Sequence, residues 1–89
     1  MSTKDKLIEA AIKLFEEKGY SGTTTAAIAA SAGVADVTLF RHFGSKEVIF
    51  KEALKKIQNS GELELFRMML FESIRNPLLC NFLTEGNPW

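Results

Sequence analysis

His42 is the chain's one histidine and Cys80 its one cysteine, so any catalytic or metal chemistry would be sought there first. Neither has the partners it would need. A nucleophilic triad requires Ser, His and an acid acting together, a thiol site requires Cys with His, and zinc requires three or four Cys, His or carboxylate ligands. None of these sets, nor a glycine-rich phosphate loop, can be assembled from this sequence. The reading is of a protein that is not an enzyme, with no catalytic residue, no metal and no cofactor. What remains is a concentration of hydrogen-bonding side chains between positions 23 and 46: Thr23, Thr24 and Thr25, then Asp36, Thr38, Arg41, His42 and Lys46. Donors and acceptors without a reacting centre are suited to binding rather than to making bonds.

These groups must be held by a small scaffold. Eighty-nine residues make one domain near the lower limit for a self-sufficient core, and 46% hydrophobic with 25% charged residues excludes a disordered chain. One cysteine cannot close an intramolecular disulfide. The opening MSTKDK lacks the apolar core of a signal peptide, which points to the cytoplasm. The most apolar stretch, 63–74, is interrupted by Glu64, Arg67 and Glu72 and is too short and charged to cross a membrane. Eleven basic and eleven acidic residues balance to zero, which at first argues against a polyanionic partner.

The periodicity is helical throughout. Leu7, Ala11, Leu14 and Phe15 recur at the spacing of one helix face, predicting a helix over 3–18 that is capped by Ser2 or Thr3 and ended by Gly19 in the left-handed conformation. The threonine run 23–25 is poor inside a helix but good at its start, and it precedes AAIAASA, a short second helix over about 25–31 that Gly33 breaks. A third short helix, about 36–42, buries Leu39 and Phe43, four residues apart. Ser45 caps a fourth, with Ile49, Phe50, Ala53, Leu54 and Ile57 as its core stripe, ending near Asn59. A fifth runs from Glu62 and stops at Asn76-Pro77, and the apolar LLCNFL and a polar tail follow. The fold class is all-α: a small helical bundle, homeodomain-like, with one or two further C-terminal helices.

Two helices of about seven residues joined by a glycine turn are too short to stand alone and must be braced by longer neighbours. That is the helix-turn-helix, whose second helix enters the DNA major groove. The residues Gly19-Tyr20, Thr24-Thr25, Ile28-Ala29, Ala32-Gly33-Val34, Thr38-Leu39-Phe40, His42-Phe43 and Ser45-Lys46-Glu47 resemble, in order and nearly in spacing, the N-terminal DNA-binding domain of the tetracycline-repressor (TetR) family of bacterial regulators. The likeness covers about residues 5–58. It implies sequence-specific binding of double-stranded DNA at a palindromic operator, read in the major groove, for transcriptional regulation of repressor type.

The resemblance also implies roles for individual residues. Thr25 resembles a phosphate contact at the second helix N-terminus, where free N–H groups and the dipole favour an anion, and a simple cap is an equal reading. Ala35, Asp36, Val37 and Thr38 open the helix that reads base edges; Thr38 can offer its hydroxyl to phosphate or base and its methyl to thymine, and Asp36 can accept from a cytosine amino group. Arg41 and Lys46 resemble backbone anchors, and His42 a phosphate donor. Phe40 stands where the family most often has tyrosine, leaving stacking or van der Waals contact. Ala35 stands where a Ser or Thr cap is frequent.

Two regions differ in charge. Residues 1–59, the helix-turn-helix domain, carry nine basic and seven acidic residues, whereas 60–89 carry two and four. A weakly basic head is thus offset by a weakly acidic remainder. Members of the family are expected to follow the head with a much larger helical inducer-binding and dimerisation domain, and 60–89 resembles only an apolar remnant of it, as in a truncated or internally deleted product. No complete small-molecule pocket is expected from it. Its apolar circumference suggests a homodimer through residues 62–83. The alternative reading is an interaction module that no longer binds DNA but self-associates or pairs with a full-length regulator.

Overall fold

The computed structural model describes residues 2–76 and Leu79, in five helices: α1 (Thr3–Lys18), α2 (Thr25–Ala32), α3 (Asp36–Phe43), α4 (Lys46–Ser60) and α5 (Leu63–Arg75). No strand occurs among the described residues. Cys80 and the segments LLCNFL and TEGNPW, apart from Leu79, lie outside them.

Local chemistry explains where the helices start. Ser2 accepts from the Asp5 N–H at 3.1 Å and Ser45 from the Val48 N–H at 3.3 Å, so α1 and α4 each begin with a satisfied orphan donor. At α2 the cap is Thr24, in extended backbone, which accepts from the Ala27 N–H at 3.1 Å. Thr25 is therefore the first residue inside the helix and not its cap. Ala35 precedes α3 in the same extended conformation but has no side-chain oxygen, and that end has no side-chain cap.

Two glycines shape the turns. Gly33, left-handed at φ 76 and ψ 28, ends α2 with its N–H on the Ala29 and Ala30 carbonyls, and the Val34 N–H returns to Ala29 at 3.0 Å. Gly19 ends α1, but at φ 75 and ψ 175, a region open essentially to glycine alone, rather than in the expected left-handed well. That conformation directs the chain so that Tyr20 folds into the core.

The core gathers Leu7, Ala11, Ile28, Leu39, Ile49, Phe50, Ala53 and Ile57, each at most 1% exposed. These come from four helices, so α1 and α4 brace the short α2 and α3 that could not persist alone. Phe15, Tyr20 and Phe50 form an aromatic trio: the first two stack with centroids 5.8 Å apart, and Phe50 meets each edge-on at 5.1 and 5.2 Å. Lys56 pairs with Glu9 at 2.6 Å, joining α4 to α1 on the surface. From α5, Met69 and Ser73 are buried and Leu65 and Phe66 half-buried, as is expected of a helix covering the bundle with one side. Its other side, Leu63, Met68, Phe71 and Ile74, is more than half exposed. Leu79 is buried in the same core. Between α1, α4 and α5 remains an open cleft of about 240 Å³ lined by Phe15, Tyr20, Phe50, Met68 and Phe71.

Candidate nucleic-acid interface

Burying Leu39 and Phe43 fixes which way the rest of α3 faces. At 100° per residue, the direction opposite those two is occupied by Val37, Thr38 and Arg41, with Phe40 and His42 on the flanks and Asp36 in the first turn. The exposures follow this geometry. Val37 is 61% exposed and Phe40 45%; Asp36, Arg41 and His42 are exposed and Thr38 half-buried. Arg41 and His42 lie in the last turn, where cations suit the helix dipole, and the His42 ring lies tilted beside Phe43 with centroids 6.3 Å apart. Val37 and Arg41 thus lie directly opposite the buried pair, and Asp36, Phe40 and His42 are exposed around them.

Thr25 lies outside α3 at the start of α2, half-buried. Because Thr24 supplies the cap, the Thr25 hydroxyl has no capping duty. The turn before it is held by Thr23, which is fully buried and whose Oγ1 lies 2.8 Å from the Gly19 carbonyl and 3.1 Å from that of Leu14, sharing its one hydrogen between them.

The resemblance implies a DNA-backbone anchor at Lys46, and in the structure its ammonium makes contacts within the chain. Its Nζ donates to the Tyr20 and Thr23 carbonyls, both at 3.0 Å, and sits 4.1 Å from the centre of the Tyr20 ring. The lysine ties the N-terminus of α4 to the turn that delivers α2. Burial lowers its pKa from the ordinary lysine value, and the neighbouring Glu47 carboxylate works the other way. The Tyr20 phenol is pushed up to about 12, first by burial and then by Glu47.

A second tie reaches the same turn from α5. Glu72 Oε1 accepts the Tyr20 N–H at 2.8 Å, its Oε2 lies 3.5 Å from Arg75, and a Cβ at Gly19 would stand 2.7 Å from Oε1. Residues 19–23 are therefore held from two sides, by Lys46 and by Glu72. Thr23 was noted only as part of the threonine run, and Glu72 only as a charge in an apolar stretch. A threonine before a helix start hints at a turn lock, but nothing local announces a carboxylate 52 residues away.

Among the described residues, no three His, Cys, Asp or Glu side chains gather to hold a metal, and no helix is long and apolar enough to cross a membrane.

Two short helices at a glycine turn, braced by longer ones, define a helix-turn-helix module of the regulatory type. The family described as bacterial regulatory proteins, tetR family, matches residues 7–53, more than half of the chain, and the chain belongs to that family. It is a family of regulators and not of enzymes. The chain is 48% identical over 52 residues to the biofilm operon icaADBC HTH-type negative transcriptional regulator IcaR of Staphylococcus aureus (strain Newman), covering 58% of this chain and 28% of that protein. It is 41% identical over 56 residues to the IcaR of Staphylococcus epidermidis, covering 63% and 30%. The chain thus spans less than a third of the length of these relatives. A crystal structure of a tetR family transcription regulator from Shewanella sp. PV-4 is similar with a TM-score of 0.58 and 32% identity, over 99% of this chain and 57% of that one.

Proposed function

We propose that the chain binds double-stranded DNA sequence-specifically for transcriptional regulation of repressor type, with α3 in the major groove. The observation that carries this reading is the outward face of α3. Its first turn exposes Asp36 and Val37, with Thr38 half-buried, whereas Leu39 and Phe43 anchor the helix to a core built by α1 and α4. In such modules the N-terminal residues of the second helix reach base edges. Thr25 at the α2 N-terminus and Arg41 and His42 beyond the reading turn are placed to meet phosphate, with Phe40 against the sugar-phosphate backbone. Ala35 leaves room for close approach at the start of α3. Lys46 supports the interface by holding the 19–23 turn. The negative regulator of the icaADBC operon is similar over 52 residues of this chain, which supports repression as the outcome.

A titration of labelled duplex DNA, followed by fluorescence anisotropy at rising salt, tests the reading. Affinity should fall log-linearly with salt by about 0.9 for each phosphate neutralised. Arg41→Ala should weaken binding to all duplexes, and Thr38→Ala should alter the preference among them. Affinity indifferent to salt and to both substitutions would reject it.

The exposed apolar side of α5 favours a second element: pairing of two copies through the region 62–83, which would present two heads to a palindromic operator about 34 Å apart. Leu63, Met68, Phe71 and Ile74 form its described part. Sedimentation should show association that Phe71→Lys weakens, and a clean monomer at high concentration would reject it.

A further inference from the structure

We propose that the first turn of α3 recognises thymine methyl groups, with Val37 as the specificity-determining residue. This rests on the DNA-reading role above and names what that role would select: a half-site carrying thymine beneath Val37 and Thr38.

Each base edge in the major groove demands a particular side chain. Guanine is read by bidentate Arg or Lys, adenine by Asn or Gln, cytosine by an acidic acceptor, and thymine by apolar contact with its methyl group. The segment 34–40 reads VADVTLF and contains no Arg, Lys, Asn or Gln. The reading turn therefore cannot make either bidentate purine contact. Asp36 offers acceptors only, so it suits a cytosine amino group and repels the acceptor edge of guanine. What the turn does offer is aliphatic surface. Val37 is 61% exposed, stands within the face opposite Leu39 and Phe43, and forms no part of the hydrophobic core. A β-branched side chain in a helix holds one rotamer, so its two methyl groups are presented with little entropy left to lose. Thr38, next in the chain and half-buried, adds a methyl to the same turn. Arg41, one turn further on, is the only cation within α3 able to read guanine, and it defines the competing outcome.

Thymine and uracil differ by this methyl group alone. The 89-residue chain would be used to enrich duplexes from a randomised pool at low salt, and the enriched duplex then made with thymidine or with deoxyuridine. Uracil should weaken binding about fourfold for each methyl contacted, the worth of one buried methylene. Val37→Ala, at an exposed position whose helicity can be checked by circular dichroism, should weaken the thymine duplex to a similar degree and leave the uracil duplex unchanged. An enriched duplex that binds equally well with uracil would overturn the inference while leaving DNA binding intact. So would a guanine preference that Arg41→Ala abolishes. Enrichment of no duplex would overturn the DNA-reading role itself, and this inference with it.

Discussion

Lys46→Met separates two roles that the same lysine could play. The substitution keeps an unbranched apolar stem and removes the ammonium that donates to the Tyr20 and Thr23 carbonyls and lies over the Tyr20 ring. A hydrogen bond involving a charged group contributes about 1.5–3 kcal/mol and a cation–π contact about 0.5–1 kcal/mol. The ammonium is only partly buried, and its lowered pKa shows that burial already costs part of that gain. A net loss of about 2 kcal/mol is therefore expected, equivalent to a melting temperature lower by about 8–16 °C for a domain of this size. Circular dichroism melts read the stability, and DNA affinity measured as a function of salt reads the other role. If the ammonium acts on the fold, the melting temperature drops and the salt slope is unchanged. An unchanged melting temperature, with a slope shallower by about 0.9, would show that it neutralises a phosphate and refute the inward assignment.

Substitutions at three other positions test parts of the same framework. Ala35→Ser supplies the missing cap of α3 on a backbone already extended at φ −76 and ψ 152, and should stabilise the domain by about 0.5–2 kcal/mol in a thermal melt. Glu72→Ala leaves the Tyr20 N–H without its acceptor and should cost about 1–3 kcal/mol, whereas Glu72→Gln keeps a carbonyl there and should restore most of it; equal loss in both would refute the hydrogen-bond assignment. Tyr20 has a folded pKa raised from 10.0 to about 12, so the unfolded chain releases the phenol proton first. The stability it contributes is complete below pH 10 and is lost as pH rises towards 12. Tyr20→Phe should flatten that alkaline limb in denaturant titrations at pH 9–12, and an unaltered limb would contradict the assignment.

Much of the scaffold was legible because its signals are local. Ser2, Gly33 and Ser45 act within three or four residues of themselves, and the spacing of Leu39 and Phe43 alone orients α3. The TTT run located the start of α2 but not its register, since adjacent threonines are equivalent caps until backbone angles choose Thr24. The ties on the 19–23 turn were not legible. Lys46 reaches carbonyls 23 and 26 residues earlier, and Glu72 an amide 52 residues earlier, contacts that exist only once α4 and α5 have packed. Lys46 was noticed for its place in the Ser45-Lys46-Glu47 motif, and sequence alone does not show which way a long side chain turns. Val37 was singled out for its place in the first turn of the third helix, but its isolation from the core was a tertiary fact.

The proposed contact of the α2–α3 unit with DNA can be measured directly. Nuclear magnetic resonance of the nitrogen-labelled chain, titrated with duplex DNA, tests it residue by residue. Amide shifts should concentrate at Thr25, Asp36, Val37, Thr38 and Arg41, with little change along Leu63–Arg75. Shifts confined to α5, or none at any DNA concentration, would contradict it.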